Sequence, residues 1–143
     1  MKISTRGRYA LRVMVDLADN FDAGFISLKS IAERQKISLK YVESIMTNLS
    51  NHKLVDAKSG KNGGYHLSKN PGEYTALEIL EVVEGDMSPV DCLSCPTPCE
   101  QKLYCKTLPM WEGFEKLIKD YFGSITLLNL KKNTERFDCG AGI

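Results

Sequence analysis

From Arg8 to about Asn20, apolar residues fall at Tyr9, Leu11, Val13, Met14, Leu17 and Ala18. That recurrence keeps them on one side of a 3.6-residue turn, so the segment predicts an amphipathic helix. The run Phe21-Asp22-Ala23-Gly24 ends it. Ser27 stands where a hydroxyl accepts from the free amides of a second helix, whose Leu28, Ile31 and Ala32 share a face. Ser38 bears the same relation to a third helix over 39–53, in which Val42, Ile45, Met46 and Leu49 recur at helical spacing. Two short helices joined by a tight link make a helix-turn-helix pattern.

The period then changes. Leu54–Ala57 and Tyr65–Leu67 are short strand candidates on either side of KSGKNGG, a basic, turn-forming run, so a β-hairpin is predicted as a wing. Thr75 caps a fourth helix, with Leu77, Leu80, Val83 and Ile79 as core candidates and Gly85 as its stop. Pro89, Pro96 and Pro98 predict a non-helical stretch after it. A long helix follows, about Lys106 to Phe122. Its Met110, Trp111, Phe114, Leu117, Ile118, Tyr121 and Phe122 form a wider apolar face than a small domain needs. The face predicts packing on a second copy of the chain; folding back on the chain's own core is the competing arrangement. The expected fold is mainly α with a small β-hairpin. It comprises a winged helix-turn-helix (1–72), a connecting helix and cysteine loop (73–105), and a dimerisation helix with a tail (106–143).

Composition narrows the setting. At 143 residues, 43% hydrophobic and 26% charged, the chain can bury a core without disulfide staples. No apolar run approaches the roughly 18 residues of a membrane span. MKISTRGRYALRVMVDLA lacks the unbroken apolar region and cleavage site of a secretory signal, so a cytoplasmic location with reduced thiols is expected. Residues 1–70 hold 12 Lys and Arg against 6 Asp and Glu, whereas residues 71–143 hold 7 against 12. The basic half suits a polyanion partner, although chance clustering on a solvated surface gives the same counts.

The third helix is the candidate for entering a DNA major groove, with Lys40, Tyr41, Glu43, Ser44 and Thr47 facing outward. Lys40 suits phosphate or guanine, and Tyr41 suits phosphate or sugar. Glu43 can accept from a cytosine amine, or be a solvated residue paired to Lys40. The wing adds Lys58 and Lys61 around Gly60, Gly63 and Gly64, which let backbone amides approach phosphate; turn geometry alone also accounts for the glycines. Helix, helix-turn-helix and basic wing, in that order, point to double-stranded DNA. No nucleophile–base pair or phosphate loop is visible, so no enzyme is expected. His52 and His66 lie in this half as ordinary exposed or capping residues.

Four of the five cysteines sit in DCLSCPTPCEQKLYC, residues 91–105. In a reduced compartment that density points to metal or redox chemistry rather than disulfides. Thiolates so placed suit an iron–sulfur cluster or a tetrahedral zinc site.

MKISTRGRYALRVMVDLA, SLKSIAERQKISLKYVESIMTNLSNHKLV, the GGY of the wing, W-x-G-F and SITLLNL together strongly resemble the Rrf-two family of bacterial transcription regulators, with its IscR, NsrR and CymR types, and most of all the cluster-binding IscR type. The resemblance implies a homodimer with a long dimerisation helix, bound to palindromic promoter DNA. By position, Ser38, Lys40, Tyr41, Glu43 and Ser44 fall on the family's recognition-helix contacts, with Glu43 where IscR-type proteins discriminate between operators. The wing departs from the pattern. Ser59-Gly60-Lys61-Asn62 replaces the usual Arg-Gly-Pro, leaving Lys58 or Lys61 to stand in for a minor-groove arginine without its planar fork.

Cys92, Cys99 and Cys105 match the family's three cluster cysteines, which implies a 2Fe-2S cluster. The fourth ligand departs as well: Leu108 occupies the histidine position of IscR-like members and Arg8 the aspartate position of NsrR-like ones. Cys95 completes an all-cysteine set; Cys139, Asp91, Glu100 or a residue of a partner subunit compete with it. The expected function is a transcription regulator that senses iron–sulfur status, redox state or nitric oxide. The alternative is a zinc-stabilised or cluster-free repressor answering a small molecule or protein, as in cysteine metabolism. An electron-transfer role leaves the recognition helix and wing unused.

Overall fold

A serine or threonine hydroxyl begins each of the first four helices. The computed structural model describes residues 1–97 and 99–132. Helix α1 spans Thr5–Asp19, starting before the apolar stripe because Ser4 Oγ accepts from the Gly7 amide at 3.1 Å. Ser27 caps α2 (Leu28–Gln35) and Ser38 caps α3 (Leu39–Asn51), which ends two residues earlier than its pattern predicts. Thr75 caps α4 (Ala76–Glu84), and Gly85, at φ 84°, turns the chain away in a conformation that a β-carbon disfavours. Each cap contributes about 1 kcal/mol by satisfying an amide that the helix cannot.

The main core is one cluster, with a smaller one of Leu80, Met87 and Ile118 beside it. It joins Val13, Met14 and Leu17 of α1 to Ile31 of α2, to Val42, Ile45, Met46 and Leu49 of α3, and to Ile79 of α4. In α4, Ala76, Ile79 and Leu80 are the buried positions, while Leu77 and Val83 are only half-buried, so the inward face is rotated from the expected one. Asp16 is 3% exposed and lies at the α1–α2 joint. Its carboxylate accepts from Arg34 Nε at 2.9 Å and Nη2 at 2.6 Å, and from Gln35 Nε2 at 2.9 Å. A buried charge is tolerable because it is paired and fully bonded.

Strands β1 (Val55–Lys58) and β2 (Gly64–Leu67) pair antiparallel, Val55 opposite Leu67 and Lys58 opposite Gly64. The first is displaced by one residue from the sequence expectation, and the second starts one residue earlier but ends at Leu67 as expected. Ile26 and Tyr65 exchange two backbone hydrogen bonds of 2.8 Å, docking the wing on the start of α2. Gly64 is required there: a β-carbon would lie 2.2 Å from the Ile26 oxygen. Buried Tyr74 secures the hairpin's base, its hydroxyl donating to the Leu54 carbonyl at 2.6 Å and accepting from the Lys69 amide at 3.1 Å.

Contrary to expectation, the cysteine stretch is not wholly non-helical. A short turn of helix, α5 (Asp91–Ser94), and a 3-10 turn at Lys102–Tyr104 interrupt it. Pro96 then keeps the first turn from extending. The long helix α6 runs Leu108–Ser124, two residues later than predicted, with Pro109 in its first turn. A further helix, α7 (Leu127–Lys132), follows it, and Leu127 buries itself in the main core. Of the seven apolar positions on α6 only Ile118 is buried. Trp111 and Phe122 are half-buried, while Leu117 is 68% and Tyr121 64% exposed. Among the described residues no helix is long and apolar enough to cross a membrane.

Candidate nucleic-acid interface and cysteine loop

Helix α3 presents Lys40, Glu43, Ser44 and Thr47 to solvent, and Tyr41 half-buried with its ring edge-on to Tyr9 at 5.6 Å. Ser38 sits at the helix tip, its oxygen accepting from the Tyr41 amide at 3.3 Å. Thr47 folds back, donating to the Glu43 carbonyl at 2.9 Å. Among the described residues no ion pair joins Glu43 to Lys40, so the pairing offered as Glu43's bland role is not formed. The predicted outward residues therefore lie together on one open face.

That face has a contributor that the sequence pattern did not reveal. Arg6 of α1 donates from Nη2 to the Ser44 carbonyl at 3.2 Å. With Lys40, Glu43, Ser44, Thr47 and Asn51 it lines a shallow cleft beside α3. Arg6 precedes the apolar stripe that marked the first helix, and no local signal ties it to residues 38 positions away. Glu84, at the end of α4, accepts from the Ser4 amide at 3.0 Å and the Ser4 hydroxyl at 2.5 Å. A carboxylate at a helix N-terminus is favoured by the exposed amide dipoles.

In the wing, Lys58, Ser59, Gly60 and Lys61 are all exposed at or beside the hairpin tip. The two lysines differ: Lys58 Nζ lies 5.7 Å from the Phe25 ring centre, an orienting cation–π contact. His66 is half-buried rather than exposed, its Nε2 2.8 Å from the Phe21 carbonyl and its ring against Phe21 and Phe25. His52 is exposed at the end of α3.

The cysteine loop follows α4. Cys92 lies in α5, Cys95 ends it, and Cys105 stands just before α6. Cys92, Cys95 and Cys99 are exposed, Cys105 is half-buried, and none of the four is in a disulfide. The structure places these four predicted ligands in one loop but does not draw them together. Among the described residues no three His, Cys, Asp or Glu side chains converge on a metal position. Asp91 and Glu100 are exposed as well, and Cys139 lies outside the described residues. Arg8, at the position where NsrR-like relatives were expected to carry a ligand, donates to Thr5 Oγ1 at 2.9 Å.

The donor chemistry nevertheless fits a thiolate-held group. Four unpaired, accessible thiols lie within 14 residues of one another. The Cys105 thiol is held below its ordinary pKa, first by the Thr107 hydroxyl 3.4 Å away and then by the Thr107 amide. A thiol shifted toward thiolate is a better ligand for iron or zinc.

The loop's ends are secured. Met87 is buried with Leu80 and Ile118. Ser88 Oγ lies 2.9 Å from Asp86 and 2.6 Å from Glu115 of α6, whose carboxylate also accepts from Lys119 at 3.0 Å. Ser88 is the main cause holding Asp86 and Glu115 below the usual carboxylate range, and Glu115 raises Lys119.

Residues 3–133 match Rrf2, described as an iron-dependent transcriptional regulator. The chain is 38% identical over 135 residues to the HTH-type transcriptional regulator CymR of Bacillus subtilis, covering 94% of this chain and 93% of that one. The solved structure of CymR, the global cysteine regulator of B. subtilis, superposes with a TM-score of 0.77 at 37% identity, over 94% of this chain and 99% of the other. IscR of Xenorhabdus nematophila is 33% identical over 138 residues, 96% of this chain and 84% of its own. The structure of T. potens IscR gives a TM-score of 0.73 at 35% identity, over 94% of this chain and 89% of the other.

Proposed function

The chain belongs to the Rrf2 family of transcriptional regulators, and from that membership we propose that this DNA-binding regulator is a symmetric dimer whose cysteine loop, loaded with a 2Fe-2S cluster, sets its grip on palindromic promoter DNA. The observation that carries the reading is the loop's position: four unpaired thiols lie between Glu84, which holds the start of α1, and α6, whose apolar stripe is exposed. Cys92, Cys95, Cys99 and Cys105 hold the cluster, which supplies a link sensitive to oxidation, nitric oxide and iron supply. Ser88 and Glu115 tie the loop to α6. Met110, Phe114, Leu117 and Tyr121 pack on the second copy, and this contact sets the spacing of the two α3 helices on successive major grooves. Ser38, Lys40, Tyr41, Glu43 and Ser44 meet DNA from α3, Glu43 accepting from a cytosine amine. Lys58, Ser59 and Lys61 meet phosphate from the wing.

A second reading is a cluster-free or zinc-holding regulator. It is favoured by the lack of convergence of the four thiols in space among the described residues and by the likeness to CymR. Protein prepared without oxygen separates the two. The cluster reading expects brown protein with iron and sulfide in equal stoichiometry, lost in Cys95→Ala and retained in Cys139→Ala. Colourless protein with zinc or no metal supports the second reading.

A further inference from the structure

We propose that Arg6 is a further DNA-contacting residue: from α1, outside the helix-turn-helix, it grips a phosphate on the flank of the groove that α3 enters. The inference rests on the DNA-binding reading of α3. Arg6 is half-buried, and among the described residues its one side-chain hydrogen bond, to the Ser44 carbonyl, occupies one of five guanidinium donors. Among the described residues no carboxylate pairs with it; the ion pairs join Arg34, Lys69, Lys116 and Lys119 to other partners. The Arg6 side chain lines the cleft together with Lys40, Glu43, Ser44, Thr47 and Asn51. Lys40 and Arg6 outnumber the single carboxylate of Glu43, so the cleft is net positive.

The position selects phosphate over base. Glu43 on the α3 wall of the cleft is assigned to a base edge, whereas Arg6 reaches the cleft from α1 and meets α3 at Ser44, in its second turn rather than at its N-terminal tip. A helix lying in the major groove turns its tip toward base edges and its flanks toward the phosphate walls. Arg6 is also held in place from behind. Ser4 caps α1 and is itself bonded by Glu84, and the carboxylate lies so near Gly7 that a β-carbon there would stand 2.1 Å from Oε1. A cation fixed before the partner arrives loses less freedom on binding.

The test uses the full chain and a duplex that it selects itself from a random-sequence library, with affinity followed across a salt titration. Arg6→Gln is expected to bind roughly tenfold more weakly near physiological salt. Its plot of log affinity against log salt should be shallower by about 0.9 for each phosphate that is no longer neutralised, while a repeated selection returns the same base preference. A wild-type slope in Arg6→Gln, or an altered base preference, overturns the proposal. Should Arg6→Gln melt at a lower temperature than wild type, Arg6→Lys decides, since it keeps the charge without the fork. A wild-type slope with Lys supports the phosphate grip, and a shallower one overturns it. A wild-type protein that selects no duplex overturns the DNA reading of α3 and this inference together, an outcome distinct from failure of the variant alone.

Discussion

Residues 5–67 bury Met14, Ile31, Ile45, Met46 and Leu49 completely, and each of their three helices begins on a serine hydroxyl. Residues 86–107 bury only Met87 among those described, and neither α5 nor the 3-10 turn begins on a side-chain cap. One region is specified by its own interior; the other hangs between two secured ends. A segment with few buried contacts changes shape at little free-energy cost, so what its thiols bind can decide its shape. A packed core instead keeps the exposed side chains of α3 fixed relative to one another.

The strongest way to break this contrast is to open the core. Ile45→Ala should cost about 3 kcal/mol of unfolding free energy in a urea titration, because the α3 cavity cannot collapse freely. A cost below about 1 kcal/mol would show the DNA-facing half to be as adaptable as the loop.

Tyr74→Phe should cost about 1–2 kcal/mol at neutral pH, since it strands the Lys69 amide and leaves the Leu54 carbonyl only its long bond from the Ser68 amide. Its pH dependence sharpens the same point. Burial holds the Tyr74 phenol above its ordinary value, so the folded state favours the protonated form. That stability is complete below the ordinary tyrosine pKa and is lost as pH rises through the folded value. Wild type should therefore lose stability on the alkaline side, and Tyr74→Phe should show a flatter decline.

In metal-free protein, Cys95→Ser should change unfolding free energy by less than about 0.5 kcal/mol, because Cys95 is exposed and unpaired. A larger loss would mean that the loop is built by its own packing after all. The smallest expected effect is at the loop's joint with α6. Asp86 and Glu115 are held below the ordinary carboxylate range, chiefly by Ser88. Their contribution is complete above that range and disappears as pH falls through the depressed values. Hydrogen exchange of the Ser88 amide should accelerate there, beyond its intrinsic pH dependence, before global unfolding begins.

What was legible in the sequence follows the same division. Ser27, Ser38 and Thr75 announced their helices because a cap is a contact between residues three apart. Val42, Ile45, Met46 and Leu49 showed their common face because helical period is local. The hairpin was visible, but its strand bounds differ by a residue because the Ile26–Tyr65 pairing, distant in sequence, helps to set where β2 begins. Arg6 escaped notice for a similar reason, its partner lying on another helix. So did α7, whose Leu127 is buried only because α1 and the 3-10 turn at Pro71–Glu73 form the wall that α7 meets. The cysteines were legible as a donor set but not as a site, since spacing along a chain does not say how a loop closes around a metal.

The central claim is that the state of the cysteine loop is felt at the DNA surface. Its most direct test compares full-length protein loaded with iron and sulfide with the same protein stripped of metal, both kept reduced, on one duplex selected by the protein. The two forms should differ in affinity by roughly tenfold or more across the salt titration. Equal affinities at every salt concentration would contradict it.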